Sequence, residues 1–233
     1  TDGVVEDNKK GDVAVKNLTR AMTLLDNTID KCFKGSDLHM CDLYHLGNGR
    51  QEGTADVWPY TAAMEAVNGV MEALQTLKGN CPELYAKNME RYKCLMARLF
   101  DNLDYYKGTY TLTSYTQTKE WSVYGVHRSN TKGTAKVEGI ENVYDDQMWL
   151  VRELVRAYRN TGEKRYLVEA EYLADYVIDG WDCTLDVDGH ENGGITWGPG
   201  YNSKHSCSNA PIISPLVWLS QIYKDSKDKA VWR

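Results

Sequence analysis

Apolar residues recur along most of this chain at the three- and four-residue spacing of an α-helix, and rarely at the alternating spacing of a strand. Val13, Leu18, Met22, Leu25, Ile29 and Phe33 predict a first helix over 12–33, followed by a loop over 34–53 punctuated by Gly35, Gly47, Asn48, Gly49 and Gly53. A second helix is expected over 56–77, with Ala62, Ala63, Ala66, Val67, Val70, Met71 and Leu74 on its apolar stripe, and Pro59 in its first turn, where a missing N–H costs nothing. Pro82 opens a third helix in the same way, running to about Leu103 through Leu84, Tyr85, Met89, Tyr92, Leu95, Met96 and Leu99.

The pattern then changes. Thr, Tyr and Ser alternate over 110–115 and Trp121 to Tyr124 follow, so residues 104–125 read as one short hairpin or an ordered loop. A polar stretch over 127–138 leads to a fourth helix over 145–160, stopped by Gly162. A fifth runs over 164–180 with Tyr166, Leu167, Ala170, Leu173, Ala174, Val177 and Ile178 inward. After a long glycine-rich loop over 181–211 comes a sixth helix over about 209–224. Loops of that length are usually functional. Successive antiparallel helix pairs fit either an α-solenoid or a closed α/α toroid, and the lack of a fixed-period repeat favours an all-α toroid with its active loops gathered at one end.

Composition narrows the function more than the fold. The chain has 233 residues, a formal net charge of −6 and no basic block, which argues against a nucleic-acid partner. No run of about eighteen apolar residues is present to span a membrane. Aromatic usage is lopsided, with 16 Tyr and 7 Trp against 2 Phe. Rings that carry a hydrogen-bonding handle suit surfaces that stack sugars, and equally suit a tyrosine-rich core. The six cysteines (Cys32, Cys41, Cys81, Cys94, Cys183, Cys207) contain no C-x-x-C pair, so a zinc ribbon is not expected; buried free thiols are preferred over a pair such as Cys32–Cys41. Thr1 in place of Met reads as a processed or trimmed product.

The chemistry-bearing stretch is Val143-Tyr144-Asp145-Asp146-Gln147-Met148-Trp149-Leu150. Two acids at a helix start have an ordinary explanation, since carboxylates cap orphan N–H groups and suit the positive end of the helix dipole. Aromatic and amide groups on both sides of the pair point instead to a carbohydrate pocket. Two neighbouring carboxylates cannot both ionise freely, so one is expected to hold its proton, as a general acid must; spacing does not say which.

That stretch resembles the catalytic motif of glycoside hydrolase family 76, the endo-α-1,6-mannanases. The segment from Ala157 to Leu167 is similar to the family's link to its next helix, Gly193-Gly194-Ile195-Thr196-Trp197 to its glycine-rich loop, and Tyr201 to Pro211 to its Tyr-x-x-Lys-Asn-x-x-x-Asn segment. Thr196 stands where a second aromatic is frequent, and His205 where Asn is frequent. Order and spacing agree over residues 56–225.

The resemblance implies an (α/α)6 toroid of which this chain supplies roughly the first six or seven helices, a single catalytic domain over 1–233 continuing beyond Arg233. A half toroid of that kind is expected to be aggregation-prone alone, because its apolar faces are left open. The resemblance also implies hydrolysis of α-1,6-mannosidic linkages in α-mannan with retention, Asp145 acting as nucleophile and Asp146 as acid/base. No metal or organic cofactor is expected, and the protein is expected to be exported, whether periplasmic, cell-surface or extracellular. Trp58 and Trp197 are candidate stacking platforms; Tyr144, Gln147, Lys204 and Asn209 are candidate sugar-hydroxyl partners or anchors of the local backbone. His127 and Arg128 are weaker candidates. The acidic set Asp182, Asp186, Asp188 and Glu191 does not complete the roughly twelve-residue EF-hand series and reads as a solvated loop. The competing functions are a transglycosylase using the same pair and a non-catalytic glycan-binding protein. A uronate lyase lacks a matching Arg/Lys cluster.

Overall fold

The computed structural model of the protein describes residues 2–224. They divide into two compact units, one built from the residues up to Ala55 together with Ala62–Asn102, the other from Asp56–Thr61 and the residues from Leu103 onward.

In the first unit, helix α1 (Asp2–Cys32) starts earlier than its apolar spacing predicted. Leu18, Met22 and Leu25 are buried, whereas Val13 lies outside the buried stripe and is exposed. The predicted loop over 34–53 is instead two tight hairpins, β1 (Phe33–Lys34) with β2 (His39–Met40) and β3 (Leu43–His45) with β4 (Arg50–Glu52). Strands of two or three residues are too short to show alternation, so only their turn residues were visible beforehand. Helices α2 (Val57–Thr76) and α3 (Pro82–Leu103) follow closely the expected bounds. Of the α2 stripe, Ala63, Val67, Val70, Met71 and Leu74 are buried, but Ala62 and Ala66 face outward. Arg91 of α3 grips Asp26 of α1 with two hydrogen bonds of 2.8 and 3.0 Å, joined by the Tyr92 hydroxyl at 3.0 Å. A bidentate guanidinium–carboxylate pair fixes orientation as well as distance.

The second unit is built on a helical hairpin, α4 (Tyr144–Thr161) and α5 (Lys164–Asp179), turned by Gly162 in the left-handed conformation with its N–H donated to the Tyr158 carbonyl at 2.7 Å. Burial on α4 extends nearly all round: Met148, Leu150, Val151, Leu154, Val155 and Ala157 are fully enclosed, and even Glu153 is buried, paired with Arg156 at 2.9 Å. Each large apolar side chain so enclosed stabilises the fold by about 1.5–3 kcal/mol. On α5 the expected inward positions hold except Ile178, which is exposed.

Residues 107–124 do form a hairpin, β5 (Lys107–Thr113) with β6 (Thr118–Tyr124), in register from Lys107 opposite Tyr124 to Thr113 opposite Thr118. It is fastened to α5 by polar contacts: Lys107 Nζ to Glu169 at 2.7 Å, Tyr124 hydroxyl to the same carboxylate at 2.8 Å, and Tyr110 to Tyr176, hydroxyl to hydroxyl, at 2.7 Å. The last helix, α6 (Ile213–Ile222), begins later than predicted. Its expected first turn is a 3-10 turn over Ala210–Ile212, because Asn209 has left helical geometry and spends its side chain on a neighbouring strand-like segment. Among the described residues no helix is long and apolar enough to cross a membrane. No disulfide joins the six cysteines in this structure; only Cys41 is buried, and Cys94 and Cys207 are exposed, against the expectation of buried thiols.

Candidate active site

Helix α4 has no side-chain cap: Val143, in extended geometry, precedes it, and Asp145 and Asp146 occupy its first turn. The elements around this turn hold it from two sides. From the hairpin, the Gln147 amide clasps the Tyr124 backbone, accepting its N–H at 3.2 Å and donating to its carbonyl at 2.6 Å. From the long loop, the Trp197 carbonyl accepts the Tyr144 N–H at 2.8 Å. The loop comes close enough to do this because residue 198 is glycine; a Cβ there would run into the Asn142 carbonyl and press on the Val143 backbone. Gly198→Ala should therefore lower stability by about 1–3 kcal/mol, read as a fall in Tm, since the obstacle is backbone rather than a side chain that can swing away. An unchanged Tm would mean that the loop does not need this approach.

Asp145 and Asp146 are partly buried, and both carboxyls are held above the ordinary range. For Asp145 burial raises the value, and donors pull it back: its own N–H, the Cys207 thiol, the Trp197 indole and the Asp146 N–H. For Asp146 burial is again the main cause, but the neighbours now push the same way, Asp145 first and then Asp56, and the group rises to about 7. Donors favour charge on Asp145 while neighbouring acids disfavour it on Asp146, so Asp146 is the member of the pair that holds a proton more readily as neutrality is approached. That separation of protonation states is what acid-assisted nucleophilic chemistry needs.

Asp56 is a member of the site that sequence reasoning missed. It lies just before α2 and is carried to the pair by residues 125–142: the Val57 N–H donates to the Val126 carbonyl at 2.9 Å, and the Val126 N–H to Glu141 at 3.0 Å. His127 bridges the two acids, 2.7 Å from Asp56 and 3.4 Å from Glu141. No local spacing links residue 56 to residue 146; its one signal was an acid two residues before an aromatic at a helix start. Cys207 was likewise read only as a thiol. Arg128 stacks its guanidinium on Tyr105 at 3.9 Å.

The other predicted residues divide by role. Trp58 is 61% exposed on the first turn of α2, two residues after Asp56. Trp197 lies between Tyr201, 4.6 Å away, and His205, stacked at 5.2 Å. Tyr144 is buried, its ring occupying the space left by Gly180 and bordering a cavity of about 170 Å³ with Tyr115, Thr196 and Tyr201. Asn209 holds the loop: its carbonyl oxygen accepts the Ile195 N–H at 2.8 Å while its amide donates to the Ile195 and His205 carbonyls at 2.9 and 2.8 Å. Lys204 does the same by pairing with Asp182 at 2.7 Å; that lysine, with help from Thr184, draws the Asp182 carboxyl down to about 2. Asp182 and Glu191 are thereby occupied, Glu191 by the Trp181 indole at 3.2 Å. Asp186, Asp188 and His190 present exposed ligand atoms within 4.8 Å of one another, on a turn where Asp186 accepts the N–H groups of Asp188 and His190. Beyond Cys207 an open cleft of about 520 Å³ is lined by Trp149, Arg152, Pro211, Ser214 and Trp218.

Helical hairpins carrying two adjacent, half-buried acids under a glycine- and tryptophan-containing loop define an all-α protein with a paired-carboxylate centre. The profile of glycosyl hydrolase family 76 matches residues 60–230, and the chain belongs to that family. A comparison with curated proteins finds no significant match. Among solved structures, the chain is similar to a family 76 glycoside hydrolase (mannosidase) from Bacteroides thetaiotaomicron VPI-5482, with 23% identity and a TM-score of 0.56, covering 92% of this chain and 50% of that one. The alpha-1,6-mannanase of Salegentibacter sp. HEL1_6 gives 21% identity and 0.55 over 92% and 48%. An inactive form of that mannanase, with two neighbouring aspartates changed to asparagine and alpha-1,6-mannotriose bound, gives 21% and 0.53 over 91% and 47%. The chain thus spans about half the length of these structures. The fold is the family's (α/α)6 arrangement, to which the described residues contribute six helices.

Proposed function

We propose that this protein is a retaining glycoside hydrolase that cleaves α-1,6-mannosidic linkages in α-mannan. The observation that carries the reading is the divided pair at the start of α4: Asp146 protonated up to about pH 7 by burial and by Asp145 and Asp56, beside an Asp145 supplied with donors. In the first step Asp146 gives its proton to the glycosidic oxygen as that bond breaks, and an Asp145 oxygen bonds to the anomeric carbon. In the second, Asp146 takes a proton from water, whose oxygen displaces Asp145 and frees the sugar.

The site's surroundings support a polysaccharide substrate. Trp58 is exposed two residues after Asp56, the Trp197 indole lowers the Asp145 carboxyl as a donor, and the cleft past Cys207 adds Trp149 and Trp218. Family membership, and the mannotriose bound by a relative, favour α-1,6-mannan over other glycans. A polysaccharide substrate of this kind favours an exported enzyme. The test is a digest of α-1,6-mannan with the full-length protein, products sized and their anomeric configuration followed by NMR. Short oligosaccharides released first as the α-anomer are expected. Release of the β-anomer would overturn the retaining mechanism, lengthened products would point to glycosyl transfer, and no release would overturn the hydrolase itself.

A further inference from the structure

Six cysteines can form three pairs in fifteen ways, and the fold brings two of them face to face. Cys32 ends α1 and Cys41 follows β2, flanking the hairpin that pairs Phe33 with Met40 and Lys34 with His39. The Cys41 N–H donates to the Cys32 carbonyl at 2.8 Å, so the ladder extends one position further and sets these residues directly opposite each other. Residues so placed have Cα atoms about 5.5 Å apart, within the roughly 4.4–6.8 Å that a disulfide spans, and their side chains leave the same face. Burial raises the Cys32 thiol above its ordinary range, and the neighbouring Cys41 thiol raises it further.

The remaining cysteines are placed otherwise. Cys81 and Cys94 are separated by most of two-thirds of α3, about 20 Å of helix. The Cys183 thiol faces the Tyr115 carbonyl at 3.9 Å, and Cys207 faces Asp145.

We propose that Cys32 and Cys41 form a disulfide that clamps the end of α1 to the β1–β2 hairpin. The reaction is thiol–disulfide exchange with a low-molecular-weight disulfide as oxidant. The Cys32 thiolate, the more accessible of the two, attacks one sulfur of the oxidant and expels a thiolate. The Cys41 thiolate then attacks Cys32 Sγ and expels the second. The two cysteines lose two protons and two electrons in all, and the oxidant is reduced to two thiols. The backbone needs little movement, because it is already pinned on both sides. Gln51 donates to the Lys31 carbonyl at 2.7 Å, and the Ala55 N–H donates to the Met40 carbonyl at 2.9 Å. A cross-link made without distorting the native state acts chiefly on the unfolded chain, whose freedom it removes.

The test equilibrates the whole chain with oxidised glutathione, alkylates remaining thiols, and digests it without reduction. Trypsin cuts at Lys34, between the two cysteines, so mass spectrometry should find the peptide holding Cys32 joined to the peptide holding Cys41, short of two hydrogens, with Cys94 alkylated. The oxidised chain should melt about 5–10 °C above the reduced chain, and Cys41→Ser should abolish both the link and the rise. Alkylation of Cys32 and Cys41 to the same extent as Cys94, a glutathione adduct on either one, or either one joined to a different cysteine would overturn the proposal. The peptide map reads the native chain directly, so it decides the matter even where the serine variant fails to fold.

Discussion

Asp145→Asn and Asp146→Asn should both abolish most hydrolysis of α-1,6-mannan, but substrates with a better leaving group should separate them. Removing an acid/base group typically costs about 10²–10⁴-fold. Removing a nucleophile costs more, on the order of 10⁴–10⁶-fold. An aryl mannoside leaves without protonation, so Asp146→Asn should recover much of its first-step rate on that substrate, and Asp145→Asn should recover none. The two roles rest on how the chain surrounds the pair. Donors from Cys207, Trp197 and the backbone favour charge on Asp145, while burial and two neighbouring acids disfavour it on Asp146. Recovery by Asp145→Asn in place of Asp146→Asn would reverse the assignment. Full activity of either variant on mannan would remove the pair from the chemistry.

Asp146→Asn should also stabilise the protein, and only at higher pH. The folded-state value of Asp146 is raised from 3.8 to about 7. The native state therefore keeps a proton that the unfolded chain has lost between those values, and stability declines as pH rises from about 4 to about 7, then levels off. A shift of that size corresponds to at most about 4 kcal/mol. Asparagine cannot ionise, so the variant escapes the decline. Its Tm should match the parent near pH 4 and exceed it by several degrees at pH 8. Equal Tm values at pH 8 would show that Asp146 ionises there without penalty, and activity should then persist well above pH 7 as well. If Asp146 is the acid of the proposed reaction, its cost to the fold is a common trade between stability and activity.

Much of the helical architecture was legible in the residue order because its signals are local. Pro82 at the head of α3, Gly162 after α4 and the three-to-four spacing between them act through neighbours within a turn or two. The acid pair was legible for a similar reason: adjacent residues at a helix start share one environment wherever the helix lies. Short hairpins left no such trace. Each strand of β1–β4 is only two or three residues long, and its pairing is made across a turn instead of along a pattern.

Several roles could be assigned only by folding. Gln147, Lys204 and Asn209 carry polar groups that suit a sugar or a backbone equally well. Their partners at Tyr124, Asp182 and Ile195 are 14 or more residues away. Asp56 reaches Asp146 across some ninety positions of sequence, a coupling that exists only because residues 125–142 carry both ends together. By itself, then, the sequence determined the helices and the place of the acid pair at a helix start, because propensity, capping and residue type act at short range. The tertiary structure alone decided which acid keeps its proton and which amides brace the loop, because burial and Coulomb repulsion depend on distances in space that separation along the chain does not encode.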